Sequence, residues 1–142
     1  MVTTTHTESQ TAMLGESLAK KLRPGDVIAL YGGLGAGKTA FVRGLAAGLG
    51  LDARVSSPTF TIVNEYLGDI PLFHFDMYRL ADSDELFEIG WEDYLERGGV
   101  CAVEWTENVE DALPPDHIVV SIKNVGEQSR EITIKTSRGD EV

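Results

Sequence analysis

The chain has 142 residues, 42 % of them hydrophobic, enough for one domain built around one core. Its 12 basic residues stand against 23 acidic ones, and the net charge of −11 argues against this chain alone gripping a nucleic-acid backbone, which takes clustered Lys and Arg. No apolar run is long enough to span a bilayer, no signal-peptide pattern opens the chain, and the single Cys101 cannot close an internal disulfide, so the expected setting is a reducing cytoplasm.

Taken in order, residues 1–6 read as frayed. Thr7-Glu8-Ser9-Gln10 fits a capping box, and Leu14, Leu18 and Leu22 then recur every four residues. That spacing predicts an amphipathic helix over 8–22, ended by Pro24-Gly25, with Thr11 as a solvated helix position. Val27 to Tyr31 predicts a buried strand. A glycine-rich turn follows, then Lys38-Thr39. Ala40, Phe41, Val42, Leu45, Ala46 and Leu49 next show the three-and-four spacing of a helix over 38–49, closed by Gly50.

Strand, Gly-x-x-x-x-Gly-Lys-Thr and helix together make a phosphate-binding loop in its required context. The residue types follow from the chemistry. Glycines at 32, 33, 35 and 37 carry no Cβ, which lets the backbone N–H groups of the loop Gly33, Leu34, Gly35, Ala36 and Gly37 turn inward on an anion. The helix that starts near Gly37 aims its unpaired N–H groups and positive dipole end at the same place. Lys38 adds a mobile positive charge for the β- and γ-phosphates. The Thr39 hydroxyl can ligate Mg²⁺, which prefers hard oxygen ligands.

Beyond Gly50, Val55-Ser56-Ser57-Pro58-Thr59 crowds three hydroxyls beside a proline that keeps Ser57 out of helical geometry. Such a loop either supplies oxygens to a γ-phosphate or metal, or is an ordinary turn. Residues 60–66 and 71–75, joined at Gly68-Asp69, read as a hairpin. Short helices are expected from Asp82 to Ile89 and from Trp91 to Arg97. Val100 to Val103 is wholly apolar, as in a parallel strand buried on both faces. A brief helix is expected over 106–113, two antiparallel strands around 118–122 and 130–134, and a mobile tail over 136–142.

A nucleotide loop needs a carboxylate at the end of a neighbouring strand to hold Mg²⁺. Glu104, directly after four apolar residues, and Asp76, after Leu72 to Phe75, both qualify. His74 is either a base or, between Phe73 and Phe75, structural. Arg79 and Arg130 either neutralise phosphate or pair with surface acids. Trp105 either stacks on a base, hinges a loop or packs in the core. The guanine-reading Asn-Lys-x-Asp pattern is absent, which leaves adenine as the better reading.

Four segments line up with one family. Leu34-Gly35-Ala36-Gly37-Lys38-Thr39, Ser57-Pro58-Thr59-Phe60-Thr61, His74-Phe75-Asp76-Met77-Tyr78-Arg79-Leu80 and Val103-Glu104-Trp105 resemble the bacterial TsaE proteins in order and spacing, over about residues 8–135. The resemblance implies an α/β fold: a single P-loop NTPase domain over 1–142 with a mixed central sheet flanked by helices. It implies Mg²⁺-dependent ATP hydrolysis that matters beside a TsaB–TsaD pair, in tRNA threonylcarbamoyladenosine synthesis. It gives Lys38 and Thr39 to phosphate and Mg²⁺, Glu104 to the metal, and a catalytic or switching role to Asp76. Ser57, Pro58, Thr59, Phe60 and Thr61 would form a switch loop. Thr11 would lie near the base, and Arg130 matches an arginine of the last strands.

Two positions depart from the family. It often has an acid or other polar residue where Gly33 stands, and usually a second hydroxyl, able to touch the α-phosphate, where Ala40 stands. Backbone N–H groups remain at both. Two other functions compete: a non-catalytic ATP-sensing module and a small-molecule kinase. A kinase needs several lid arginines, whereas those here are dispersed at 23, 43, 54, 79, 97, 130 and 138.

Overall fold

The architecture comes from a computed structural model, which describes residues 1–33, 35–51, 62–78 and 80–142. Leu34, the expected switch residues Ser57 to Thr61, and Arg79 lie outside the described residues. The chain runs β1 (Val2–Thr5), α1 (Glu8–Ala19), β2 (Val27–Tyr31), α2 (Lys38–Gly48), β3 (Val63–Tyr66), β4 (Leu72–Asp76), α3 (Ser83–Glu88), α4 (Trp91–Glu96), β5 (Val100–Glu104), β6 (Ile118–Asn124) and β7 (Arg130–Thr136).

The strands form one mixed sheet in the order β1-β7-β6-β2-β5-β4-β3. β6, β2, β5 and β4 are parallel to their neighbours, while β7, β1 and β3 join as antiparallel edges. After β2 the chain passes to one side for β4 and β5, then to the other for β6. The carboxyl end of β2 is therefore a topological switch point, where open α/β sheets leave a crevice. This is the α/β class with a mixed central sheet that the sequence implies.

Period-two alternation divides the core. Ile28 and Leu30 face one apolar layer with Phe41, Val42 and Leu45 of α2 and Leu18 of α1. Val27 and Ala29 face the other, with Phe73, Phe75, Leu86 of α3 and Trp91 of α4. Burying each large side chain fully contributes roughly 1.5–3 kcal/mol. The two helices on the first layer touch through small residues. A Cβ at Gly44 would lie 1.8 Å from the Ala12 carbonyl oxygen, and one at Gly15 would lie 2.3 Å from that of Phe41.

Several boundaries differ from the sequence reading. Residues 1–6 do not fray as a block: Val2 to Thr5 pair antiparallel with Thr133 to Arg130, and the Met1 ammonium donates to the Ile134 carbonyl at 3.1 Å. The β-branched run Val2-Thr3-Thr4-Thr5 favours a strand that hydrophobic alternation does not reveal. The expected tail is a turn in which the Thr136 N–H donates to the Asp140 carbonyl at 2.8 Å. α1 stops at Ala19, where the chain tightens into three-residue turns: the Lys21 N–H donates to the Leu18 carbonyl at 2.9 Å and the Leu22 N–H to that of Ala19 at 3.1 Å. Leu18 and Leu22 of the expected stripe are buried and Leu14 is half-buried. The Thr7 cap holds: its hydroxyl accepts from the Gln10 N–H, while Gln10 reaches back to the His6 N–H. Residues 106–113 make two 3₁₀ turns in place of one helix.

Replacing Gly44 by Ala should destabilise the fold by about 2 kcal/mol or more, because backbone must move to admit the methyl group. Urea unfolding with an unchanged m-value is the check. Burial pushes the Cys101 thiol up to about 12 from 9.0. It should react with Ellman's reagent about a thousandfold more slowly in the native protein than in the unfolded chain. The folded chain keeps a proton that the unfolded chain releases, so this thiol makes stability fall as the pH rises above 9.

Candidate functional site

The crevice is built from the ends of three parallel strands. Beyond β2, Gly35 at φ 74° and Gly37 at φ 103° take the left-handed conformation that side-chain-bearing residues adopt only with strain. Gly37 is the N-cap of α2 and makes no side-chain cap, which leaves the first helical N–H groups for another acceptor. A Cβ at Gly33 would meet nothing within 4 Å, so the glycine there is not demanded by packing.

β2 and β5 are neighbours with Leu30 opposite Glu104, and β5 and β4 are neighbours with Asp76 opposite Glu104. The register thus sets both carboxylates beside the loop. The Lys38 Nζ donates to the Gly32 carbonyl at 2.7 Å and stands 3.6 Å from Glu104 Oε1. Lys38 and Glu104 are both buried, at 7 % and 5 % exposure, so this charge pair is screened little by solvent. Asp76 Oδ1 accepts the Tyr78 N–H at 2.9 Å.

A cleft of about 980 Å³ lies over these groups, at the upper end of small-ligand sites. Thr11, Gly35, Ala36, Gly37, Lys38, Thr39, Ala40, Asp76, Glu104, Trp105 and Arg130 all line it. The structure therefore brings together every expected site residue it describes except Gly33, which is not on the cleft wall. Hard oxygens at Thr39, Asp76 and Glu104 form a donor set of the kind Mg²⁺ takes when it keeps several waters. Among the described residues no three His, Cys, Asp or Glu gather as an all-protein metal cage.

For three residues the structure narrows the alternatives the sequence leaves open. Thr11 is not solvated: it is buried, and its hydroxyl lies 2.7 Å from that of Thr5. Arg130 pairs with no acid among the described residues. Its Nε donates to the Ala36 carbonyl at 2.9 Å, its Nη2 to Gly35 at 3.2 Å, and its Nη1 to the Ser129 carbonyl at 2.9 Å, so it ties the loop to the turn before β7. Trp105 does not sink into the core. At φ 58° it turns onto the cleft wall, with the Lys38 ammonium 4.2 Å from its ring centroid and Tyr78 edge-on at 5.3 Å. Sequence reasoning missed the pairing of His74 with Glu104, whose Nε2 and Oε2 are 2.5 Å apart. It also missed Glu127 and Gln128 on the far wall, which nothing in their local pattern marks.

Comparison with known proteins gives a consistent result. A family model described as "Threonylcarbamoyl adenosine biosynthesis protein TsaE" matches residues 5–132. A Bacillus subtilis protein named "tRNA threonylcarbamoyladenosine biosynthesis protein TsaE" is 45 % identical over 125 residues, covering 87 % of this chain and 78 % of the relative. One of the same name from Treponema pallidum is 42 % identical over 124 residues, covering 87 % and 92 %. The crystal structure of Bacillus subtilis YdiB superposes with a TM-score of 0.81 at 39 % identity, over 96 % of this chain and 84 % of that one.

Replacing Arg130 with Met keeps the aliphatic stem and removes every donor to the loop carbonyls. Amide exchange across residues 35–40 should speed up roughly tenfold, with about 1–2 kcal/mol lost in urea unfolding. Unchanged exchange there would show that the tether is slack.

Proposed function

Because this chain belongs to the TsaE family of threonylcarbamoyl adenosine biosynthesis proteins, and so to that tRNA modification, we propose that it binds ATP with Mg²⁺ in the cleft and hydrolyses it. The observation that carries the reading is the meeting of a glycine loop, the Lys38 ammonium and the Glu104 carboxylate at the ends of adjacent parallel strands. A second, smaller cavity, lined by Met1, Leu14, Leu18 and Val142 among others, has neither such a loop nor a buried ion pair.

The geometry supports the following roles. Main-chain N–H groups of 35–39 take the phosphate oxygens, and Lys38 swings from the Gly32 carbonyl onto the β- and γ-phosphates. Thr39 and Glu104 would hold Mg²⁺, which supplies charge neutralisation on the triphosphate. Asp76 orients the attacking water. The water oxygen bonds to the γ-phosphorus as the bond to the ADP oxygen breaks, and the released proton passes to a carboxylate or to solvent. Ala40 offers its amide alone. Thr11 and Arg130 shape the wall around the nucleoside and hold the loop. With no covalent chemistry asked of the protein, positioning and electrostatics supply the rate.

The partners proposed are a TsaB–TsaD pair, with the tRNA held by those subunits, consistent with a charge of −11 on this chain. No helix among the described residues is long and apolar enough to cross a membrane.

Lys38→Ala should weaken ATP binding at least a hundredfold by calorimetry and bring ATP turnover in the reconstituted complex to background. Full hydrolysis by the folded variant would refute the role of Lys38. Equal support of many rounds of modification by a non-hydrolysable analogue would make the protein a sensor instead of an ATPase.

A further inference from the structure

His74 has no exposed surface, and its strand neighbours Phe73 and Phe75 are equally buried in the opposite layer. It faces Ala102 across the parallel pair of β4 and β5, and Glu104 lies one step further along that face. Ala102 carries a single methyl group, which leaves room for the imidazole to lean along the diagonal. Its Nε2 reaches Glu104 Oε2 at 2.5 Å.

The proton can be placed from this. An ionised carboxylate only accepts, so the ring donates from Nε2. Nδ1 is buried and has no partner among the described residues. Among the described residues, Glu104 is the one hydrogen-bond partner of the ring. An apolar residue of similar size would fill the slot but could not make that bond.

That bond occupies one carboxylate oxygen. The other, Oε1, stands 3.6 Å from the Lys38 Nζ, on the side of the cleft. We propose that His74 is a positioning residue that fixes the Glu104 carboxylate by Oε2, so that Oε1 alone is presented to the metal and phosphate side of the cleft. The proposal rests on the assignment of Glu104 to Mg²⁺ made above. An outer-shell hydrogen bond of this kind governs how well a ligating carboxylate is oriented.

The test compares His74→Gln, which keeps a donor where Nε2 stands, with His74→Leu, which keeps volume and removes the donor. ADP binding is measured by calorimetry in EDTA and across a Mg²⁺ titration. Both variants should match the unaltered protein in EDTA. His74→Leu should need ten- to a hundredfold more Mg²⁺ for the same tightening, and His74→Gln should stay within about threefold. A purely structural histidine predicts the reverse order, with the apolar variant tolerated best. Normal ADP uptake with an unshifted Mg²⁺ requirement in His74→Leu overturns the role of the ring alone. No ADP uptake by the unaltered protein removes the function proposed above, and this proposal with it. Should neither variant fold, ¹⁵N-histidine spectra of the unaltered protein decide. A slowly exchanging Nε2–H signal that is lost in Glu104→Ala supports the bond, and its absence from the unaltered protein overturns it.

Discussion

A buried pair of opposite charges governs this structure. Lys38 and Glu104 lie 3.6 Å apart with almost no exposed surface, and taking two ions out of water costs several kcal/mol each unless both find further partners. Here they do. The ammonium is bonded by the Gly32 carbonyl and covered by the Trp105 ring, and the carboxylate is held by His74. None of these contacts is local in sequence except that between Lys38 and Gly32. The pair exists only because β2 and β5 are parallel neighbours in one register, with Leu30 beside Glu104. A slip of one residue would turn Glu104 into the opposite apolar layer, against Phe73, Phe75 and Trp91.

Much of the remaining fold acts to hold the loop that carries Lys38. α2, which begins with that lysine, is drawn against α1 by glycine contacts that bring backbone onto backbone. Arg130 reaches across from the last strand to the carbonyls of Gly35 and Ala36. β1 completes the opposite edge, and its last residue, Thr5, bonds Thr11 on the cleft wall. Edge strands, helix packing and turn chemistry thus converge on the loop before α2 and the cleft wall beside it. The TsaE family is defined over nearly all of this frame, since the match spans residues 5–132.

Features that depend on neighbouring residues were legible in the sequence. The loop, its glycines and the start of α2 form one uninterrupted stretch, and apolar runs ending in an acid marked Asp76 and Glu104 as strand termini. Features that depend on register were not. Nothing in a single chain reveals that His74 stands opposite Ala102 and one step from Glu104, nor that Arg130 spends its donors on carbonyls more than ninety residues earlier. β1 escaped notice because three threonines carry strand propensity without an apolar rhythm. The sequence leaves Trp105 between the core, a hinge and a stacking role, since indoles are usually buried and a tryptophan at positive φ is rare. Its departure from both habits is itself a mark of the cleft, because backbone strain gathers where function is built.

The indole beside Lys38 has a practical consequence. The chain holds two tryptophans, and they occupy opposite surroundings. Trp91 is sealed from solvent, with its ring N–H bonded to the Ala112 carbonyl. Trp105 lies under a cation whose distance from the ring depends on what else the amine contacts. Light emitted by Trp105 is therefore exposed to changes in the cleft, the position of the Lys38 ammonium among them, while Trp91 is shielded from them. The protein carries its own optical gauge of the cleft, readable without a label.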